Sequence, residues 1–80
     1  MRLFATAGAM LRDARLTLDR SQLALARRAN ISKNTIQSYE RGDTEPSPRT
    51  LQAVSRALRV VLTLRNGNWT WERLDDHNAR

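Results

Sequence analysis

Along residues 8–58 the apolar positions recur at three- and four-residue spacings, and from Val60 onward they fall on every second residue. The first period is that of helices with one buried face, the second that of a half-buried strand. A first helix is predicted from about Gly8 to Leu16, with Met10, Leu11 and Ala14 inward and Arg12, Asp13 and Arg15 between them. Thr17 to Arg20 reads as a polar connector. Ser21 then serves as N-cap of a second helix whose apolar side is Leu25, Ala26 and Ala29. Asn30 ends that helix, because asparagine enters the left-handed region readily, and Ile31 is placed to plug the corner of a tight turn. Ser32 caps a third helix that turns Ile36 and part of Tyr39 inward. Lys33, Asn34, Gln37, Ser38 and Arg41 lie on its opposite, polar side.

Gly42 is positioned as the C-cap of the third helix, opening a loop that runs to Pro46. Ser47-Pro48 signals a further helix start, with Ser at N-cap and Pro at the first helical position, and Leu51, Val54, Ala57 and Leu58 form its inward stripe. Beyond it, Val60, Leu62 and Leu64 alternate with Val61 and Thr63, and Trp69 and Trp71 with Thr70 and Glu72. Asn66-Gly67 between the two runs is a strong hairpin signal, since both turn residues must take positive φ. With these two at the tip, Leu64 faces Trp69, Leu62 faces Trp71 and Val60 faces Arg73. One face then carries Val60, Leu62, Leu64, Trp69 and Trp71, the other mostly Thr63, Thr70 and Glu72. Such a face needs cover, because a lone two-stranded hairpin is marginal in water. Either it packs back on the helices or it meets a second copy across a two-fold axis. The segment from Leu74 to Arg80 reads as a loose polar tail.

The organisation expected is a helical domain over residues 1–58, a hairpin over 59–74 as dimerisation element, and a polar tail over 75–80. Eighty residues bury too little apolar surface for a large independent core, which also favours oligomerisation. Charge sharpens the picture. Residues 1–41 carry eight Arg and Lys against three acids, a net of +5, while residues 42–80 carry six against five, a net of +1. The basic half holds the polar helix, and a polyanion such as duplex DNA is the partner this favours, because each neutralised phosphate releases counterions. There is no cysteine, hence no disulfide or thiolate metal site, and the apolar run at the N-terminus is too short for a signal peptide or membrane span. A soluble cytoplasmic protein associated with the nucleoid, with no metal or cofactor, is expected.

The stretch Ser21–Glu40 and its surroundings resemble the helix-turn-helix of the Cro/C1-type (XRE-like) DNA-binding family. The matching positions are Ser21-Gln22, Leu25-Ala26, Asn30, Ile31, Ser32, Ile36 and Glu40-Arg41-Gly42, and the likeness runs from about Gly8 to Leu58. Two positions depart from it: Asn30, where the family usually has Gly, and Leu23, where a polar residue is usual. The resemblance implies a mainly α fold, a four- to five-helix lambda-repressor-like DNA-binding domain, here with a C-terminal β-hairpin. It also implies that Arg15 pairs with Glu40 at the end of the recognition helix. The helix-turn-helix spans residues 21–41.

On that scaffold the first turn of the third helix points into a major groove. There Asn or Gln can bind adenine bidentately, Lys can donate to guanine and Ser can take either role. Lys33, Asn34, Gln37 and Ser38 are therefore the expected base readers. Gln22, at a helix start with unpaired N–H groups, suits a phosphate oxygen. Arg41 and Thr44, leaving the helix toward the DNA backbone, and Arg49, near the next helix start, complete the phosphate contacts.

The leading functional expectation is a sequence-specific repressor, a homodimer placing one helix per subunit in successive major grooves of a palindromic operator. Helix-turn-helix proteins bind paired half-sites as dimers and some antitoxin members of the family dimerise through C-terminal strands, so the resemblance favours a second copy as the cover of the hairpin face, and an autoregulating antitoxin with a cognate toxin partner falls within this reading. The alternative is a protein-binding adaptor that grips its partner with the Trp69/Trp71 face. An enzyme fits least: the single histidine, His77, lies near the C-terminus, and there is neither a Gly-rich phosphate loop nor an acid pair with a partner base.

Overall fold

The computed structural model describes residues 2–78, the side chain of Asn78 excepted. Four helices, α1 (Ala7–Thr17), α2 (Gln22–Ala29), α3 (Lys33–Arg41) and α4 (Pro48–Leu58), precede a hairpin of β1 (Val60–Arg65) and β2 (Asn68–Arg73), and a short α5 (Leu74–Asn78) closes the described chain. Each of the four longer helices starts on a hydroxyl cap. Thr6, Ser21, Ser32 and Ser47 accept from the backbone N–H of Ala9, Ala24, Thr35 and Thr50, each satisfying a donor that has no partner within the helix. Asn30 (φ 58°, ψ 46°) and Gly42 (φ 82°) take the left-handed caps predicted for them. Helix α1 extends one residue beyond the predicted span at each end, because Thr6 caps it earlier than Gly8.

The core lies where α1, α2, α3 and α4 converge, and Met10, Leu11, Leu25, Ile36 and Val54 are its largest fully buried side chains. Helix α2 packs on both α3 and α4, while α1 packs on α3 and on β2. Leu23 stays exposed, as its place on the outer side of α2 requires. Gly8, on the buried face of α1, runs directly against the main chain of α3: a Cβ there would lie 2.6 Å from the carbonyl carbon of Tyr39 and closer still to its oxygen.

The hairpin has the predicted register, with Leu64 opposite Trp69, Leu62 opposite Trp71 and Val60 opposite Arg73. Both turn residues have positive φ, 52° at Asn66 and 80° at Gly67. What covers the hairpin departs from the sequence expectation. Val60 is buried in the helical core, and Leu62, Trp69 and Trp71 pack against it, leaving only Leu64 of the proposed dimer face well exposed. Thr70, on the other face, is also buried. The cover comes from the chain itself. The Trp71 indole N–H donates to Asp13 Oδ2 at 2.8 Å, and Asp13 Oδ1 accepts from Arg2 at 2.9 Å. Phe4 lies along the outer side of β2 and exchanges two 2.7 Å backbone hydrogen bonds with Trp69. The Arg2 guanidinium sits 5.0 Å from the centre of the Phe4 ring. The N-terminal arm, α1 and the hairpin are thus one unit, and the apolar face is spent largely within a single chain.

The segment read as a loose tail is helical through Asn78. Leu74 N–H donates to the carbonyl of Arg59, Glu72 and His77 bond across the strand end at 2.8 Å, and Asp75 and Asp76 occupy the first turn, where negative charge suits the helix dipole. Residues 79 and 80 lie outside the described residues.

Candidate nucleic-acid interface

The polar side of α3 is presented by a buried apolar one. Ile36 and Tyr39 anchor the helix in the core, which leaves Lys33 and Asn34 exposed on its first turn and Gln37 and Ser38 half-buried one turn later. Among the described residues, the side chains of Lys33, Asn34 and Gln37 have no hydrogen-bond or ion-pair partner. Lys33 and Asn34 are exposed at the place where the turn after α2 delivers the helix start. Ser38 is different: its hydroxyl lies 3.0 Å from that of Thr44, so two residues assigned separate DNA roles are joined to each other. The left-handed Gly42 turns the chain back over the last turn of α3, which brings Thr44 to Ser38.

Behind α3 lies the one buried ion pair among the described residues. Arg15 Nε donates to Glu40 Oε2 at 2.8 Å and a terminal nitrogen to Oε1 at 2.9 Å, while the other terminal nitrogen reaches the Arg20 carbonyl at 2.9 Å. The side chains are only 9% and 4% exposed, so little solvent screens them. Hydrogen bonding to Glu40 raises the Arg15 pKa, burial lowers it and the Glu40 charge raises it again, for a net upward shift that keeps the guanidinium charged. This pairing, which the resemblance implied, joins α1 to the end of α3.

Gln22 also turns to this pair, its Nε2 donating to Glu40 Oε1 at 3.2 Å. The amide that the sequence assigned to phosphate therefore contacts Glu40. The unpaired N–H groups of the α2 start remain beside it. Arg41 forms an exposed ion pair with Asp43 at 3.0 Å, and at 65% and 57% exposure this is a weak contact that a phosphate can displace. Arg49, exposed in the first turn of α4, has no partner among the described residues.

Comparison with known proteins agrees with this geometry. A family model described as Helix-turn-helix matches residues 11–63, from mid-α1 into β1. The chain belongs to the Cro/C1-type helix-turn-helix family. In this helix-turn-helix protein the matched span holds α2, the Asn30 turn, α3 and α4, and omits the N-terminal arm and β2 that cover the hairpin. Over 58 residues the chain is 37% identical to the HTH-type transcriptional regulator DicA of Escherichia coli (strain K12), a match covering 72% of this chain and 43% of that protein. The chain thus spans less than half the length of the curated relative it matches. No solved structure matches significantly. Among the described residues, no helix is long and apolar enough to cross a membrane.

Proposed function

We propose that this helix-turn-helix protein is a sequence-specific regulator of transcription that places α3 in the major groove of duplex DNA and represses by occluding a promoter. The observation that carries the reading is the unpartnered polar edge of Lys33, Asn34 and Gln37 on a helix whose other side is fixed by Ile36, Tyr39 and the Arg15–Glu40 pair. Lys33, Asn34 and Gln37 read bases, Ser38 does so from its place against Thr44, and Arg41, Thr44, Arg49 and the start of α2 at Gln22 hold the sugar-phosphate backbone. The name of the DicA relative supports regulation of transcription. Replacing Asn34 with alanine should weaken binding to the selected operator by about 1–3 kcal/mol and leave non-specific binding nearly unchanged. Titrations on operator and random duplexes at one salt concentration read this directly. Equal losses on both would remove Asn34 from the base readers.

The regulator acts as a homodimer on a palindromic operator. With most of the tryptophan face engaged inside the chain, the dimer contact moves to the outer edge of β1. Phe4 uses both backbone groups of Trp69 on the far side of β2, so Trp69 and Leu64 form a non-hydrogen-bonded pair, and the N–H and C=O of Leu64 point away from β2. By the period of two, those of Leu62 and Val60 do so as well. The edge contains neither proline nor lysine, and exposed Leu64 lies on it. Two β1 strands related by a two-fold axis at Leu62 would join the hairpins into one sheet. Leu64→Pro tests this, since it removes an outward donor that makes no bond within the chain. Sedimentation should then show a monomer with unchanged far-ultraviolet circular dichroism, and an undiminished dimer would place the interface elsewhere.

A further inference from the structure

We propose that the groove between the C-terminal halves of α2 and α4 is a docking site for a carboxylate-bearing segment of a partner protein. The groove is open to solvent, with a volume of about 490 Å³, and is lined by Arg28, Ala29, Ala53, Arg56, Ala57 and Arg59. Three arginines and three alanines therefore border it, and no acid is among the lining residues. Among the described residues, none of the three arginine side chains has an ion-pair or hydrogen-bond partner.

The position of Arg59 adds a second observation. It is the C-cap of α4 in the left-handed region, φ 56° and ψ 53°, where glycine or asparagine is the usual occupant. Its backbone is fixed on both sides, the N–H donating to Arg56 at 3.2 Å and the carbonyl accepting from Leu74 at 2.9 Å. An arginine kept at this position against backbone preference places a cationic side chain at the edge of the groove. Arg28 and Arg56 sit in the last turns of their helices and offset the helix dipoles, but Arg59 lies beyond α4 and goes past that requirement.

The chemistry of the lining selects the occupant. Guanidinium forks match carboxylates bidentately, and the alanine floor contacts the aliphatic part of a side chain. A bare inorganic anion would gain nothing from that floor. The groove also lies apart from the reading edge, since α2 packs against α3 on one side and α4 on another, and no residue of α3 lines it. A protein partner and DNA can therefore be held together, and this site stands or falls independently of DNA recognition.

The test uses the full chain and a fluorescein-labelled peptide of alternating glutamate and alanine, with its glutamine counterpart as control. Arg28, Arg56 and Arg59 are changed together to glutamine in one variant. Arg12, Arg65 and Arg73, all exposed, are changed in a second of equal net charge. Both variants are first checked for an unaltered thermal midpoint. The groove variant should lose on the order of tenfold in affinity for the acidic peptide, about 1.4 kcal/mol. The second variant and the Asn34→Ala chain should lose little. Equal losses in the two triple variants would reduce the binding to general attraction to a basic protein and overturn the proposal. So would a groove variant whose affinity for duplex DNA falls as far as its affinity for the peptide, which would make the groove part of the DNA footprint.

Discussion

Replacing Glu40 with alanine should lower the unfolding free energy by about 3–5 kcal/mol. For 80 residues at roughly 0.05–0.15 kcal/mol each, the total is about 4–12 kcal/mol, so the variant is expected to be partly unfolded at moderate temperature. The cost arises from what remains. The Arg15 side chain, 9% exposed, would keep its bond to the Arg20 carbonyl and lose both bonds to carboxylate, leaving a buried charge with no countercharge. The loss reaches further than one pair, because Gln22 also donates to Glu40. Changing both partners to apolar residues of similar size, Arg15→Met with Glu40→Leu, should recover most of the stability, since neither charge then has to be buried. Urea denaturation of the two variants measures both effects. A shift below about 1 kcal/mol for Glu40→Ala would mean that the pair is effectively solvated.

The second large effect is expected at Gly8. In an exposed helix interior, alanine in place of glycine stabilises by roughly 0.5–1 kcal/mol. At Gly8 the sign should reverse, with a loss at or above the upper end of the roughly 1–3 kcal/mol typical of overpacking. The added methyl meets the carbonyl group of Tyr39, which is main chain inside α3 and cannot swing aside as a side chain would. Relief requires α1 and α3 to separate, which would pull Arg15 from Glu40 and shift α3. Gly8→Ala should therefore lower both the urea midpoint and operator affinity. A variant more stable than the parent would show that the two helices are not in backbone contact.

Gly8 also marks where the sequence stops being legible. A glycine near a helix start looks like weak propensity, and its use appears only once Tyr39 is placed against it. The caps at Ser21, Ser32 and Ser47, the left-handed turns at Asn30 and Gly42 and the Asn66-Gly67 register were readable because each depends on neighbours within a few residues. The hairpin's cover was not. Asp13 meets Trp71 across 58 residues, and Phe4 pairs with Trp69 through backbone groups that carry no sequence signature. The tryptophans looked unpartnered because the N-terminal arm was read only as too short for a leader. At the candidate interface, the exposed Lys33 and Asn34 follow from helical period alone. The turning of Gln22 toward Glu40 and the joining of Ser38 to Thr44 depend on how α2 and the α3–α4 loop fold back on α3.

The central claim is that α3 reads duplex DNA from two subunits at once. Selection of bound sequences from a random duplex pool, with stoichiometry measured on the enriched sequence at two salt concentrations, tests it most directly. The account predicts an inverted repeat with half-site centres about one helical turn or a multiple of it apart, roughly 34 Å per turn. It should bind two chains and weaken steeply as salt rises. Failure to enrich any sequence, or enrichment of one bound by a single chain with little salt dependence, would contradict it.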